Sequence, residues 1–195
     1  MGKILVLACL WNYFAVAQDA VQIAGRWRSL QTSKGGIGAM YDFGTNRTVQ
    51  FSPGAIVPTR YSVEGDRLRL DSADGSAYTL VWDGDNHLRM TMNGAGEDYT
   101  RLGELQDANN KLLGEWIGTR DMDGKRVVTH WVFGADSKAV LMIRFFTETG
   151  TYTIQNGRLV AKFGEQVGLD GTISVADGVL TINRSGGRVT RLVRY

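Results

Sequence analysis

The residues able to do chemistry are few. The chain has two histidines, His87 and His130, and one cysteine, Cys9. A structural zinc site draws on about four Cys or His ligands, so no metal centre is expected. His130 precedes Trp131, and neighbours in a strand point to opposite faces. Trp131 shares its face with Thr129 and Phe133 and reads as core or as a ligand-stacking ring, whereas His130 is expected on an exposed face. His87 follows a turn and is expected in solvent. Asp83-Gly84-Asp85-Asn86 and Asp121-Met122-Asp123-Gly124 open like calcium loops, but neither runs on to the Glu that such a loop needs at its last ligand position. Asp-Gly is also a common hairpin turn, and both are read as turns. Glu64, Glu97, Glu148 and Glu165 are scattered, and no Gly-x-Ser-x-Gly or His-Glu-x-x-His motif is present. An enzyme is therefore not the expected reading, and no cofactor is expected. The aromatic residues Tyr41, Trp82, Trp131 and Phe145 are the candidate contacts for a bound ligand.

These side chains need elements to hold them, and the pattern is that of strands. Leu68 and Leu70 alternate with Arg67 and Arg69, Leu88, Met90 and Met92 with Arg89 and Thr91, and Tyr41 and Phe43 with Met40 and Asp42. Alternation of this kind marks half-buried strands. The chain carries 25 Gly against 2 Pro, and the glycines fall between short apolar runs, as turn residues in an all-β protein do. Ser52-Pro53-Gly54 reads as a break, and Pro58 restricts its strand to an edge or a first position. The polar stretch 104–111 reads as a linker.

The first 17 residues read as a secretory signal. Lys3 gives a minimal positive end, an apolar run leads to Phe14, and Ala15-Val16-Ala17 is a cleavage site. The protein is then expected to be secreted or periplasmic, cleaved after Ala17. Few residues precede Cys9, which disfavours a lipoprotein anchor there. No apolar run is long enough for a membrane-spanning helix. The formal net charge is +2 with acids and bases interleaved, so no basic block exists to engage nucleic acid.

The chain also repeats itself. Gly25-Arg26-Trp27 recurs as Gly114-Glu115-Trp116, Phe43-Gly44 as Phe133-Gly134, Tyr61-Ser62-Val63 as Tyr152-Thr153-Ile154, and Thr100-Arg101-Leu102 as Thr190-Arg191-Leu192. An offset of about 90 residues at so many anchors points to an internal duplication. Each copy has about eight short strands, enough to close on itself and remove free sheet edges. Two half-barrels sharing one larger barrel is the alternative.

A Gly-x-Trp on a first strand with an Arg on the last resembles the calycin group of lipocalins, fatty-acid-binding proteins and avidins, and most of all short lipocalin-like bacterial domains. The resemblance implies two tandem, small, antiparallel up-and-down barrels after the signal segment: 21–103 and 112–195, joined by 104–111. It implies that Trp27 lies under Arg101 and Trp116 under Arg191, each cation–π pair contributing about 0.5–2 kcal/mol and closing one barrel. The blocks are shorter than an ordinary lipocalin and lack its disulfide and C-terminal helix, so the fold carries over and a ligand does not.

Two functions follow as expectations. One is a binding module for a small hydrophobic or amphipathic ligand inside a barrel. The other is an extracellular or envelope protein–protein module, for instance an inhibitor, with filled barrels. Residues 140–146, Val140 to Phe146, are apolar on both faces, which calls for packing against the other barrel or for a protein partner.

Overall fold

The computed structural model describes residues 23–71, 75 and 77–195; the expected signal segment, with Ala17 and Cys9, lies outside them. The described chain is all-β and antiparallel. Its strands are β1 (Gly25–Ser29), β2 (Ile37–Phe43), β3 (Thr48–Glu64), β4 (Arg67–Leu70), β5 (Ala77–Asp83), β6 (His87–Met92), β7 (Ala95–Leu102), β8 (Gly114–Met122), β9 (Lys125–Phe133), β10 (Lys138–Arg144), β11 (Glu148–Gln155), β12 (Arg158–Phe163), β13 (Gln166–Ala176), β14 (Val179–Arg184) and β15 (Val189–Arg194). At Asp121-Met122-Asp123-Gly124, Asp123 and Gly124 take positive φ and the Gly124 amide donates to Asp121 Oδ1 at 2.9 Å. This is hairpin chemistry and not a metal loop.

The chain forms two compact units. Unit 1 comprises 23–33, 38–53 and 147–195; unit 2 comprises 34–37 and 54–146. In unit 1 the hydrogen-bonded neighbours run β3–β11–β12–β13–β14–β15–β1–β2 and return to β3. In unit 2 they run β3–β4–β5–β6–β7–β8–β9–β10 and again return to β3. The expected division into 21–103 and 112–195 is therefore corrected. The two units do not follow the sequence blocks, which exchange strands: β1 and β2 join the second block's strands, and β8, β9 and β10 join the first's.

The physical cause lies in β3. Neither Pro53-Gly54 nor Pro58 ends it; it runs unbroken for 17 residues. Its first part pairs with β11, Phe51 opposite Glu148. Its later part pairs with β10, Gly54 opposite Arg144. Pro58 is tolerated because of where its missing donor falls. The Ile56 amide donates to Gly36 O, and the Asp71 amide to Arg60 O, so positions 56, 58 and 60 present their backbone to the side opposite β10. Pro58 sits there between the last of these links before it and the first pair with β4, Tyr61 with Leu70. No ladder bond is lost.

Each unit has its own core. Trp27, Tyr41, Phe43, Val49, Tyr152, Leu159, Leu180, Ile182 and Leu192 fill unit 1. Tyr61, Leu68, Leu80, Leu88, Tyr99, Trp116, Trp131 and Phe133 fill unit 2. One end of each core is sealed in the same way. The Trp27 indole donates to Ile23 O at 2.7 Å, and the Trp116 indole to Leu112 O at 2.9 Å. The Arg101 guanidinium lies 4.2 Å from the Trp116 ring centre and that of Arg194 lies 4.5 Å from Trp27. Both expected pairs are corrected: Trp27 takes Arg194, its register partner, and Arg101 goes to Trp116. Arg191 is exposed and, among the described residues, lies over no indole.

Candidate functional site

Unit 1 holds the most complete candidate site, on β2, β3, β11, β12 and β13. Three strands bring aromatic rings to it on their core-facing side. β2 supplies Tyr41, two residues from buried Phe43; β3 supplies Phe51, two from buried Val49; β12 supplies Phe163, two from buried Ala161. Tyr41 and Phe51 have ring centres 5.2 Å apart, and Phe51 and Phe163 5.6 Å. On β11 the core-facing positions include Tyr152 and Ile154, and the same parity carries Glu148 to the rim, where it is the register partner of Phe51. These residues, with Gln166, Val167 and Gly168, line an opening of about 180 Å³. It adjoins, through Glu148, Phe163 and Gln166, a wider hollow of about 550 Å³ that also takes in Thr149, Gly164 and Glu165.

Glycine makes the place for Phe163. A Cβ on Gly168 would stand 2.7 Å from the Phe163 ring, and one on Gly150 would stand 2.8 Å from that ring and 2.0 Å from Lys162 O. The register shifts between Ala161 and Lys162, where β13 carries one extra residue, Gly168. Burial pushes the Tyr41 phenol from its ordinary 10.0 up to about 12, with the Arg184 charge pulling the other way. Tyr41 is thus a neutral hydroxyl at ordinary pH.

Unit 2 carries a group of polar side chains on β7 and β8 that satisfy one another. Glu97 accepts from Arg120 Nε at 2.6 Å and from the Tyr99 hydroxyl at 2.5 Å. Burial is the main cause that raises the Tyr99 phenol, with its bond to Glu97 second. The Glu97 and Arg120 side chains are only 22% and 26% exposed.

The four candidate aromatics do not meet. Tyr41 lies in the unit 1 site. Trp82 and Trp131 both belong to the unit 2 core, Trp82 against Trp116 at 5.7 Å and Trp131 stacked on Phe133 at 5.2 Å. Phe145 is 47% exposed. Phe51, Phe163 and Glu148 lie outside the four aromatics that the sequence offers as contacts. The parity of Glu148 is readable once Tyr152 and Ile154 are placed, and that of Phe163 follows Leu159 and Ala161, but the extra residue Gly168 on β13 leaves no mark in the sequence.

His130 is also corrected. It is fully buried and not exposed, on the face opposite Trp131, with Nε2 3.1 Å from Glu115 Oε2. Its register partner on β10 is Met142, which is likewise fully buried. With no exposed surface this pair offers no entry for a substrate. His87 is exposed and lines a groove of about 390 Å³ with Asp83 and Asp98, but Asp98 is held by Arg89 through two bonds of 2.8 and 2.7 Å. That leaves no nucleophile–base–orienter set there. Among the described residues no group of three or more His, Cys, Asp or Glu could hold a metal ion, and no helix is long and apolar enough to cross a membrane.

Comparison with family models, with curated proteins and with solved structures finds no match to this chain.

Proposed function

We propose that the protein is a secreted or periplasmic binding module whose two units are small lipocalin-like barrels, and that unit 1 holds part of a small amphipathic ligand at its rim. The observation that carries this reading is the cluster of Tyr41, Phe51 and Phe163 around an opening of about 180 Å³ beside a packed core. A drug-sized ligand needs ~300–1,000 Å³. The pocket is therefore fitted to a ring or a headgroup, with the rest of the ligand lying in the adjoining hollow. Deeper binding is blocked, because Trp27, Val49, Leu159 and Leu180 at the centre have no exposed surface.

Native mass spectrometry of the purified full chain, followed by titration with small amphiphiles, tests this. Wild-type protein carries or takes up one ligand per chain, and Phe163→Ala abolishes uptake while Trp131→Phe, in the other core, leaves it intact. Absence of uptake for every amphiphile offered overturns the reading.

A second reading has its own observation. Phe145 and Phe146 are adjacent and 47% and 53% exposed, beside β10, whose Leu141, Met142 and Ile143 are buried on both faces. Exposed neighbouring aromatics suit a protein-interaction module with filled barrels. Replacing both by serine would then abolish capture of the partner protein without changing small-ligand uptake.

A further inference from the structure

We propose that the rim pocket of unit 1 is an organic-cation site, in which Tyr41, Phe51 and Phe163 present ring faces and Glu148 supplies the countercharge for a small alkylated ammonium group. The inference rests on reading this pocket as the ligand site and adds the chemistry of the ligand.

Three observations carry it. The first is the composition of the walls. Among the described residues, Glu148 is the only charged one lining the 180 Å³ opening, and the adjoining hollow adds Glu165. Among the described residues, no Lys or Arg lines either opening. Arg184, whose charge is felt at Tyr41 and at Asp170, donates to Gly168 O at 3.1 Å and lines neither. The second is the arrangement of the rings. Tyr41 and Phe51 are inclined by 33° and Phe51 and Phe163 by 51°, so the rings do not form a flat stack, and all three line the opening. A cation over such faces is attracted by the ring quadrupoles, and the attraction grows as water is excluded. The third is register. Glu148 stands opposite Phe51 on the neighbouring strand, which fixes the carboxylate beside the ring wall. Cross-strand partners of this kind lie about 5 Å apart. An anionic ligand would meet Glu148 and Glu165 instead, and a neutral one would leave the carboxylate without a role.

The size agrees. The opening is too small for a whole amphiphile but suits a compact methylated ammonium head, with any tail running out past Thr149, Gly164 and Gln166.

The test is a titration of the full chain, followed by heteronuclear NMR. The probes are tetramethylammonium, choline, 3,3-dimethylbutanol as the uncharged carbon isostere of choline, and hexanoate. The expected result is that both ammonium ions shift the signals of Tyr41, Phe51, Glu148 and Phe163, and bind more tightly than the other two probes. Added salt weakens their binding, because Glu148 is exposed to screening. Glu148→Gln, a change at an exposed site, weakens the ammonium ions about tenfold and leaves dimethylbutanol unchanged. Phe163→Leu keeps an apolar filling and also weakens them. If dimethylbutanol or hexanoate binds here as well as choline, or Glu148→Gln has no effect on choline, the cation assignment falls while the pocket stands as a ligand site. If none of the four probes perturbs these residues, the cation assignment and the ligand reading fall together.

Discussion

Arg101 and Arg194 do the same task in different surroundings. Arg101 is 5% exposed and donates to three backbone carbonyls, of Asp85 at 2.9 Å, of Leu113 at 2.7 Å and of Lys111. Arg194 is exposed and donates to Ala24 O at 2.9 Å. Removing Arg101 leaves buried carbonyls without a donor and uncovers an indole, so Arg101→Ala should cost about 2–4 kcal/mol in denaturant unfolding. Arg194→Ala should cost less, and Arg191→Ala no more than about 0.5 kcal/mol. Equal losses from Arg191→Ala and Arg194→Ala would contradict the assignment. Gly25 and Gly114 belong to the same seal. Their φ angles are 118° and 106°, and a Cβ on Gly25 would meet the Arg194 guanidinium at 2.8 Å. Alanine at either position should cost about 1–3 kcal/mol. Tyr41 gives the pH prediction. Its phenol is raised from 10.0 to about 12, so between these values the folded protein keeps a proton that the unfolded chain releases. Its contribution is complete below pH 10 and lost as pH rises toward 12. Urea midpoints should therefore fall over this range, and fall less in Tyr41→Phe.

At the scale of elements, the packing of β12 against its neighbours governs the pocket. Gly168→Ala should drive the Phe163 ring out of place, with a stability cost of about 1–3 kcal/mol and loss of the ring's share of ligand affinity, read by the same titration. The strands themselves were legible in the sequence, because period two is imposed directly by a one-sided core: Leu88 and Met90, or Leu180 and Ile182, could only be placed as they are. The seal was legible in its Trp and not in its second Arg. The repeat's offset grows along the chain, since the second copy has extra residues in its later hairpins. Leu88 stands opposite Tyr99 and Leu180 opposite Leu192, so the counterpart of Tyr99 is Leu192 and that of Arg101 is Arg194. The look-alike Thr-Arg-Leu at Arg191 lies out of step. Strand exchange was not legible at all. Pro53-Gly54 looks like a terminus, and only the pairing of β3 with both β10 and β11 shows that the chain runs straight through.

For the molecule as a whole, exchange gives each unit an unexpectedly simple meander. Residues 54–146 supply nearly all of unit 2 in one continuous segment, while unit 1 is split around it. Excised 54–146 should fold alone and retain near-ultraviolet signals from Trp82, Trp116 and Trp131. A disordered fragment would show that residues 34–37, whose Gly36 carbonyl binds the Ile56 amide, are indispensable. A fragment ending at Phe146 should fold unit 2 and leave 23–53 exposed to protease, because its partners β11 to β15 are missing.

That split also decides how the molecule answers tension. β1 and β15 are paired neighbours, Trp27 opposite Arg194, and they carry the two outer ends of the described chain. A pull on those ends peels apart unit 1 first. Unit 2 is spliced into the middle of the chain, and it feels no load through the backbone until its host has given way. In a force spectrometer the extension should come in an ordered pair of steps, the longer-range fold yielding first and the inserted one held in reserve.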